Sequence, residues 1–213
     1  MKFTVIEIFN DLFRTLEDLL DKGKSKQHVK DMERMEEIRT FKAENGEMIT
    51  LRPAIPDDAA EILNTVGSTS LERSYILMEH FGKDQESKKN YITTMDLGHN
   101  LLLVAVAESI VIGSLAALQA DRGERPQTAH VLNVGLHLKQ QYRGIGIGSK
   151  MLRYMIEWAR EHGFKKLVAR IFTINKRSLH LFTNAGFTEE GVRKKQIRIG
   201  TDFIDEISMG MLL

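Results

Sequence analysis

Between Leu136 and Leu152 a short apolar run, Leu136-His-Leu138, passes through Lys-Gln-Gln-Tyr-Arg into Gly144-Ile-Gly-Ile-Gly148 and directly into a helical pattern. Closely spaced glycines suit neither a strand interior nor a helix interior, so they mark a tight strand-to-helix turn. Lacking Cβ atoms, Gly144, Gly146 and Gly148 let a ligand approach the backbone there. Successive N–H groups can then point at anionic oxygens, and the helix dipole adds partial positive charge. Arg143 stands at the mouth of the turn, where a guanidinium pairs well with a diphosphate or a ribose phosphate.

The surrounding pattern alternates strands and helices. Ile147, Met151, Met155 and Ala159, with Leu152 and Ile156, recur at helical spacing until His162-Gly163 ends the helix. A strand over 167–173, a helix over 176–185 and two final strands follow. Upstream, runs over 38–43 and 48–52 flank Glu44-Asn-Gly-Glu47, and Asn-Gly between alternating runs predicts a hairpin. Helices are expected over 56–63 and 71–81. Strands are expected over 100–107 and 110–118, joined at Glu108-Ser109, and over 130–138, after a polar loop at 121–127. The fold class is α+β, with a central parallel pair at the glycine turn.

Three phosphate-binding patterns compete for the turn. A P-loop needs G-x-x-x-x-G-K-[ST], but Lys150 follows Ser149 and precedes Met151. A dinucleotide fingerprint needs G-x-G-x-x-G and an acidic residue ending the next strand. Counted from Gly144, its third glycine falls at Ser149, and the strand over 167–172 ends at Thr173 without a carboxylate. Gln141-Tyr-Arg-Gly-Ile-Gly146 instead resembles the Q/R-x-x-G-x-G/A signature of the GNAT superfamily of N-acetyltransferases. Asn175-Lys-Arg-Ser-Leu-His-Leu-Phe-Thr-Asn-Ala-Gly-Phe187 resembles that family's N-x-x-[AS]-x-x-L-[YF]-x-x-x-G-F segment. The segments 186–191 and 205–213 look like the branch of ribosomal-protein, polyamine and small-molecule acetyltransferases. The resemblance covers residues 48–213.

The resemblance implies a mixed, mostly antiparallel sheet whose central parallel pair is splayed, with flanking helices and acetyl-CoA as co-substrate. The cleft between 136–138 and 171–173 would take the pantetheine, with the backbone of Leu136 and Leu138 beside it. The Leu138 N–H would stabilise the thioester oxyanion as a primary amine attacks directly, in a ternary complex. Arg143, Gly144, Ile145, Gly146, Gly148 and Ser149 would hold the diphosphate. Asn175 and Ser178 would meet the cofactor from the far side, and Asn175 also suits a helix cap. The expected acceptor is an amine-bearing small molecule or a protein N-terminus.

Two positions depart from the family's pattern. Asn133 stands where many relatives carry a glutamate, and Phe182 stands at the place of a proton-donating tyrosine. His137 alternates with Leu136 and Leu138 and reads first as an ordinary strand histidine, second as a base. Tyr75, Glu79 and His80 are candidates for the acceptor pocket or for helix surface. Two functions remain open: direct acetyl transfer, and a non-catalytic acyl-CoA-binding sensor or interaction module.

Composition bounds the rest. The 213 residues suffice for one domain with an extension, at about 100–200 residues per domain. The expected division is a helical extension over 1–37 and the acetyltransferase domain over 38–213. In the extension Val5, Phe9, Leu12, Leu16 and Leu19 form one helical stripe, suited to packing on its own domain, to a homodimer or to covering the substrate site. Thirty basic against twenty-nine acidic residues give a net charge of +1, so no global field favours nucleic acid or an anionic membrane. There is no cysteine, which excludes thiolate nucleophiles and disulfides. The seven histidines form neither H-x-H nor H-E-x-x-H, and no metal is expected. With neither an export signal nor a spanning segment legible, the expected location is cytoplasmic.

Overall fold

In the computed structural model, which describes residues 38–71 and 84–213, one sheet of eight strands organises the described residues. The strands are β1 (Arg39–Lys42), β2 (Met48–Pro53), β3 (Asn100–Ala107), β4 (Ile110–Gln119), β5 (Val131–Leu138), β6 (Lys166–Phe172), β7 (Thr188–Ile199) and β8 (Asp202–Leu212). Their order is β1-β2-β3-β4-β5-β6-β8-β7, and all neighbours are antiparallel except β5 and β6. Among the described residues four α-helices accompany them: α1 (Ala59–Leu71), α2 (Gln85–Thr94), α3 (Ile147–Glu161) and α4 (Lys176–Asn184). A parallel pair needs a crossover, and α3 provides it between β5 and β6.

Strand alternation divides the apolar side chains between the two faces. Leu103, Leu115, Leu132 and Leu138 face Ile147, Met151, Leu152, Met155 and Ala159 of α3, with Phe182 and Phe187 closing the layer. Leu102, Val104 and Ala116 point the other way, under Ala59 and Ile62 of α1 and Ile92 of α2. Each fully buried leucine, isoleucine or methionine contributes about 1.5–3 kcal/mol. No helix of the described residues is long and apolar enough to cross a membrane.

The expected hairpin forms β1 and β2, with Gly46 at φ +92° in its turn. The helix expected at 56–63 begins differently, because Pro56–Asp58 is a 3₁₀ turn and α1 starts at Ala59. Asp58 accounts for that start. Its carboxylate accepts two hydrogen bonds from Arg52, at 2.7 and 2.8 Å, and one from the Ile55 N–H at 2.8 Å. The element α2 was not legible in sequence: it buries Lys88 and Ile92, a two-residue stripe too thin to set a period. At its start Asp84 caps the Ser87 N–H at 2.8 Å. His130, expected in a strand, lies just before β5, where its carbonyl accepts from the Lys165 and Lys166 N–H groups. The helix expected over 71–81, with Tyr75, Glu79 and His80, lies outside the described residues beyond Leu71, and so does the apolar stripe of 1–37.

Candidate active site

The parallel pair is short. It runs from Val131 against Lys166 to Val134 against Ala169 and then stops, while each strand continues on its outer neighbour. Downstream of the parting, β5 stays on β4 as far as Leu138 against Gly113, and β6 stays on β8 as far as Phe172 against Glu206. The strands therefore diverge into a cleft of about 1760 Å³, lined by β5, β6, the glycine turn and α4.

Backbone alternation fixes what β5 offers this cleft. The Lys139 N–H reaches the Ile112 carbonyl on the β4 side at 2.8 Å. Neighbouring residues of a strand send their N–H groups to opposite sides, so those of Leu136 and Leu138 turn toward the opening. The Leu138 carbonyl accepts from Arg143 Nε at 2.8 Å, which ties the turn to the end of the strand. Gly113 permits the close approach of β4 here, since a Cβ on it would sit 2.5 Å from the His137 carbonyl oxygen.

At the end of the cleft, Gly144 and Gly146 have φ of +78° and +85°, a region that glycine enters freely. Gly146 caps α3 without a side-chain hydrogen bond, and the first turn holds no acidic residue. The first N–H groups of α3 thus have neither an intrahelical partner nor a capping side chain, and the local field is positive. Two of the three glycines also answer packing demands. A Cβ on Gly148 would meet Leu181 at 3.1 Å, so that glycine brings α3 against α4; one on Gly146 would come 3.2 Å from Glu44 Oε1.

Of the site residues expected from sequence, Leu136, Leu138, Arg143, Gly144, Gly146, Gly148, Ser149, Asn175 and Ser178 all line this one cleft. Ile145 does not. It packs on the core, and its carbonyl accepts from the Glu44 N–H at 3.3 Å. Asn175 caps α4 through the Ser178 N–H at 3.0 Å.

The candidate proton carriers are poorly suited to their task. His137 is 4% exposed, with Nε2 at 3.4 Å from Ser114 Oγ. Burial, and then the charges of Lys88 and Arg143, push its pKa down to about 3, so it is neutral at physiological pH and a feeble base. Lys88 is itself buried, which lowers its pKa to about 7. Phe182 packs edge-on against Phe187 at 5.0 Å and has no proton to give. Asn133 lines the cleft and is exposed. Among the described residues no group of three or more His, Asp or Glu could hold a metal ion. Sequence reading passed over Arg170 and Glu206, which also line the cleft. Arg170 did leave a signal: it interrupts the apolar run Leu167-Val-Ala-Arg-Ile-Phe172.

Comparison with known proteins agrees with this geometry. A GNAT acetyltransferase of Streptococcus pneumoniae superposes with a TM-score of 0.71 at 24% identity, over 78% of this chain and 99% of that one. A GNAT superfamily phosphinothricin acetyltransferase of Sinorhizobium meliloti, solved in complex with acetyl-CoA, gives 0.70 at 22% identity, over 81% of this chain and 89% of that one. In sequence, the chain is 27% identical over 111 residues to the L-amino acid N-acetyltransferase AaaT of Escherichia coli K12, covering 50% of this chain and 65% of that protein. Against two further curated relatives, N-acetyltransferase 8B of Homo sapiens and N-acetyltransferase 8F1 of Rattus norvegicus, it spans 38% and 42% of their length. The description "Acetyltransferase (GNAT) domain" matches residues 48–188, which hold the splayed strands, the glycine turn and α4, and the chain belongs to the GNAT acetyltransferase family.

Proposed function

We propose that the protein is an N-acetyltransferase that moves acetyl from acetyl-CoA to a primary amine by direct attack in a ternary complex. One observation carries this reading: β5 and β6 part at Val134 and Ala169, leaving the Leu136 and Leu138 N–H groups facing an open cleft that ends at the α3 N-terminus. An acyl thioester supplies an activated carbonyl. The Gly144–Gly148 backbone and the first turn of α3 would hold the diphosphate. Leu136 would align the pantetheine, and the Leu138 N–H would stabilise the carbonyl oxygen as it gains charge. Asn175 and Ser178 would border the cofactor from α4. The amine nitrogen forms the new C–N bond, the C–S bond breaks with its electrons on sulfur, and the amine's proton leaves to water.

With Asn133 and Phe182 at the proton-carrying positions and His137 neutral, rate would come from positioning rather than from general acid–base help. Such help is typically worth about 10²–10⁴-fold, so its loss slows transfer without forbidding it. The named activities of the E. coli and S. meliloti relatives support a small amine as acceptor. The same two positions favour the second reading, an acyl-CoA sensor without turnover. Release of coenzyme A measured over a panel of amines, beside calorimetric binding of acetyl-CoA, separates them. Transfer predicts both signals; binding with no release for any amine supports the sensor.

A further inference from the structure

We propose that Arg170 receives a carboxylate of the acceptor, so that the amine acetylated is that of a small amino acid; this rests on the acetyl-transfer reading above. On the face of the sheet turned away from α3, Gly135 and Arg170 are the first residues past the last parallel pair, and both line the cleft. Gly135 is exposed, and a Cβ on it would meet nothing within 4 Å. Its partner across the ladder is Ala116. Two small residues side by side thus leave a recess in the floor, and Arg170 stands at its edge.

Among the described residues none of the carboxylates lining the cleft, Glu206, Asp96, Asp121 and Glu124, forms an ion pair with that guanidinium. Glu206 is its diagonal neighbour, since Phe172 pairs with Glu206 and Arg170 with Ser208, but that carboxylate faces Arg193 at 3.5 Å. Farther out, Asp96 is engaged with His99 at 2.8 Å and Asp121 with Thr128 at 2.9 Å. Arg170 has no ion pair among the described residues. A planar guanidinium fork beside a small-floored recess fits a carboxylate at two points, which a neutral amine cannot exploit. Separation sets the size of the molecule. The Leu138 N–H lies three residues beyond Gly135, roughly 10 Å along the strand. The long Arg170 side chain, its contact with the acid and the amine's approach to the thioester can together take up most of that span, which leaves acid and amine close together in one compact molecule.

The test pairs leucine, phenylalanine and methionine with their carboxamides, which keep the amine and side chain and lose only the negative charge. Wild type, Arg170→Gln and Arg170→Lys are assayed for coenzyme A release, with thermal melts and acetyl-CoA calorimetry as controls for folding. The expected result is an acid-to-carboxamide ratio of kcat/KM that falls about ten- to hundredfold in Arg170→Gln, mainly through KM for the acid, and recovers in part in Arg170→Lys. An unchanged ratio in folded Arg170→Gln overturns the proposal and leaves acetyl transfer standing, as does a wild-type preference for the carboxamides. No turnover with either series also overturns the proposal, and the wider amine panel then decides whether the transfer reading falls with it.

Discussion

Three glycines meet two separate demands within five residues of the turn. Gly144 and Gly146 supply a left-handed backbone, whereas Gly148 supplies room for Leu181. At Gly146 any side chain is strained by about 1–3 kcal/mol and also meets Glu44. Gly146→Val should therefore bind acetyl-CoA at least tenfold more weakly by calorimetry, and a folded variant with wild-type affinity would refute the diphosphate assignment. His137 gives a pH prediction. Its folded pKa of about 3 lies below the ordinary 6.5, so between these values the unfolded chain binds more protons. Stability is then lost as pH falls from 6.5, by up to about 1.4 kcal/mol per unit. Urea unfolding of wild type and His137→Gln at pH 5–6.5 should show the slope in the first and a flatter one in the second.

At the scale of elements, the cleft depends on β5 being held to β4 while it leaves β6. Gly113→Ala would drive a methyl into the Leu138 side chain and the His137 carbonyl. Such overpacking typically costs about 1–3 kcal/mol, and here it should also weaken acetyl-CoA binding, because it moves the cleft edge. Loss of stability with unchanged affinity would detach β4 from the site. Phe182 in α4 is a packing residue, so Phe182→Ala should cost about 3–5 kcal/mol in urea unfolding, while Phe182→Tyr should keep or raise transfer activity. Loss of activity in folded Phe182→Tyr would argue against its equivalence to the family tyrosine.

These elements also mark how far sequence reaches. The strand, glycine turn and helix over 136–161 were legible because glycine and a 3.6-residue period leave local signatures. Arg170 and Gly135 were not legible as partners, since their juxtaposition follows from the β5–β6 register, a pairing of residues 35 apart. The neutrality of His137 escaped for the same reason: its burial, and then the charges of Lys88 and Arg143, come from elements distant in sequence.

For the whole molecule, the sheet acts as two anchored halves, β1–β4 with β5 and β7–β8 with β6, which touch over four residue pairs and then open. Direct attack across that opening requires acetyl-CoA and acceptor to be bound together, and the chain has no cysteine to act as an acyl carrier. A relay through an acylated side chain would instead release coenzyme A before the acceptor enters. The decisive measurement is the initial rate with acetyl-CoA varied at several fixed concentrations of an active acceptor. Intersecting double-reciprocal lines are predicted; parallel lines, with coenzyme A released in a burst when acceptor is omitted, would contradict direct transfer.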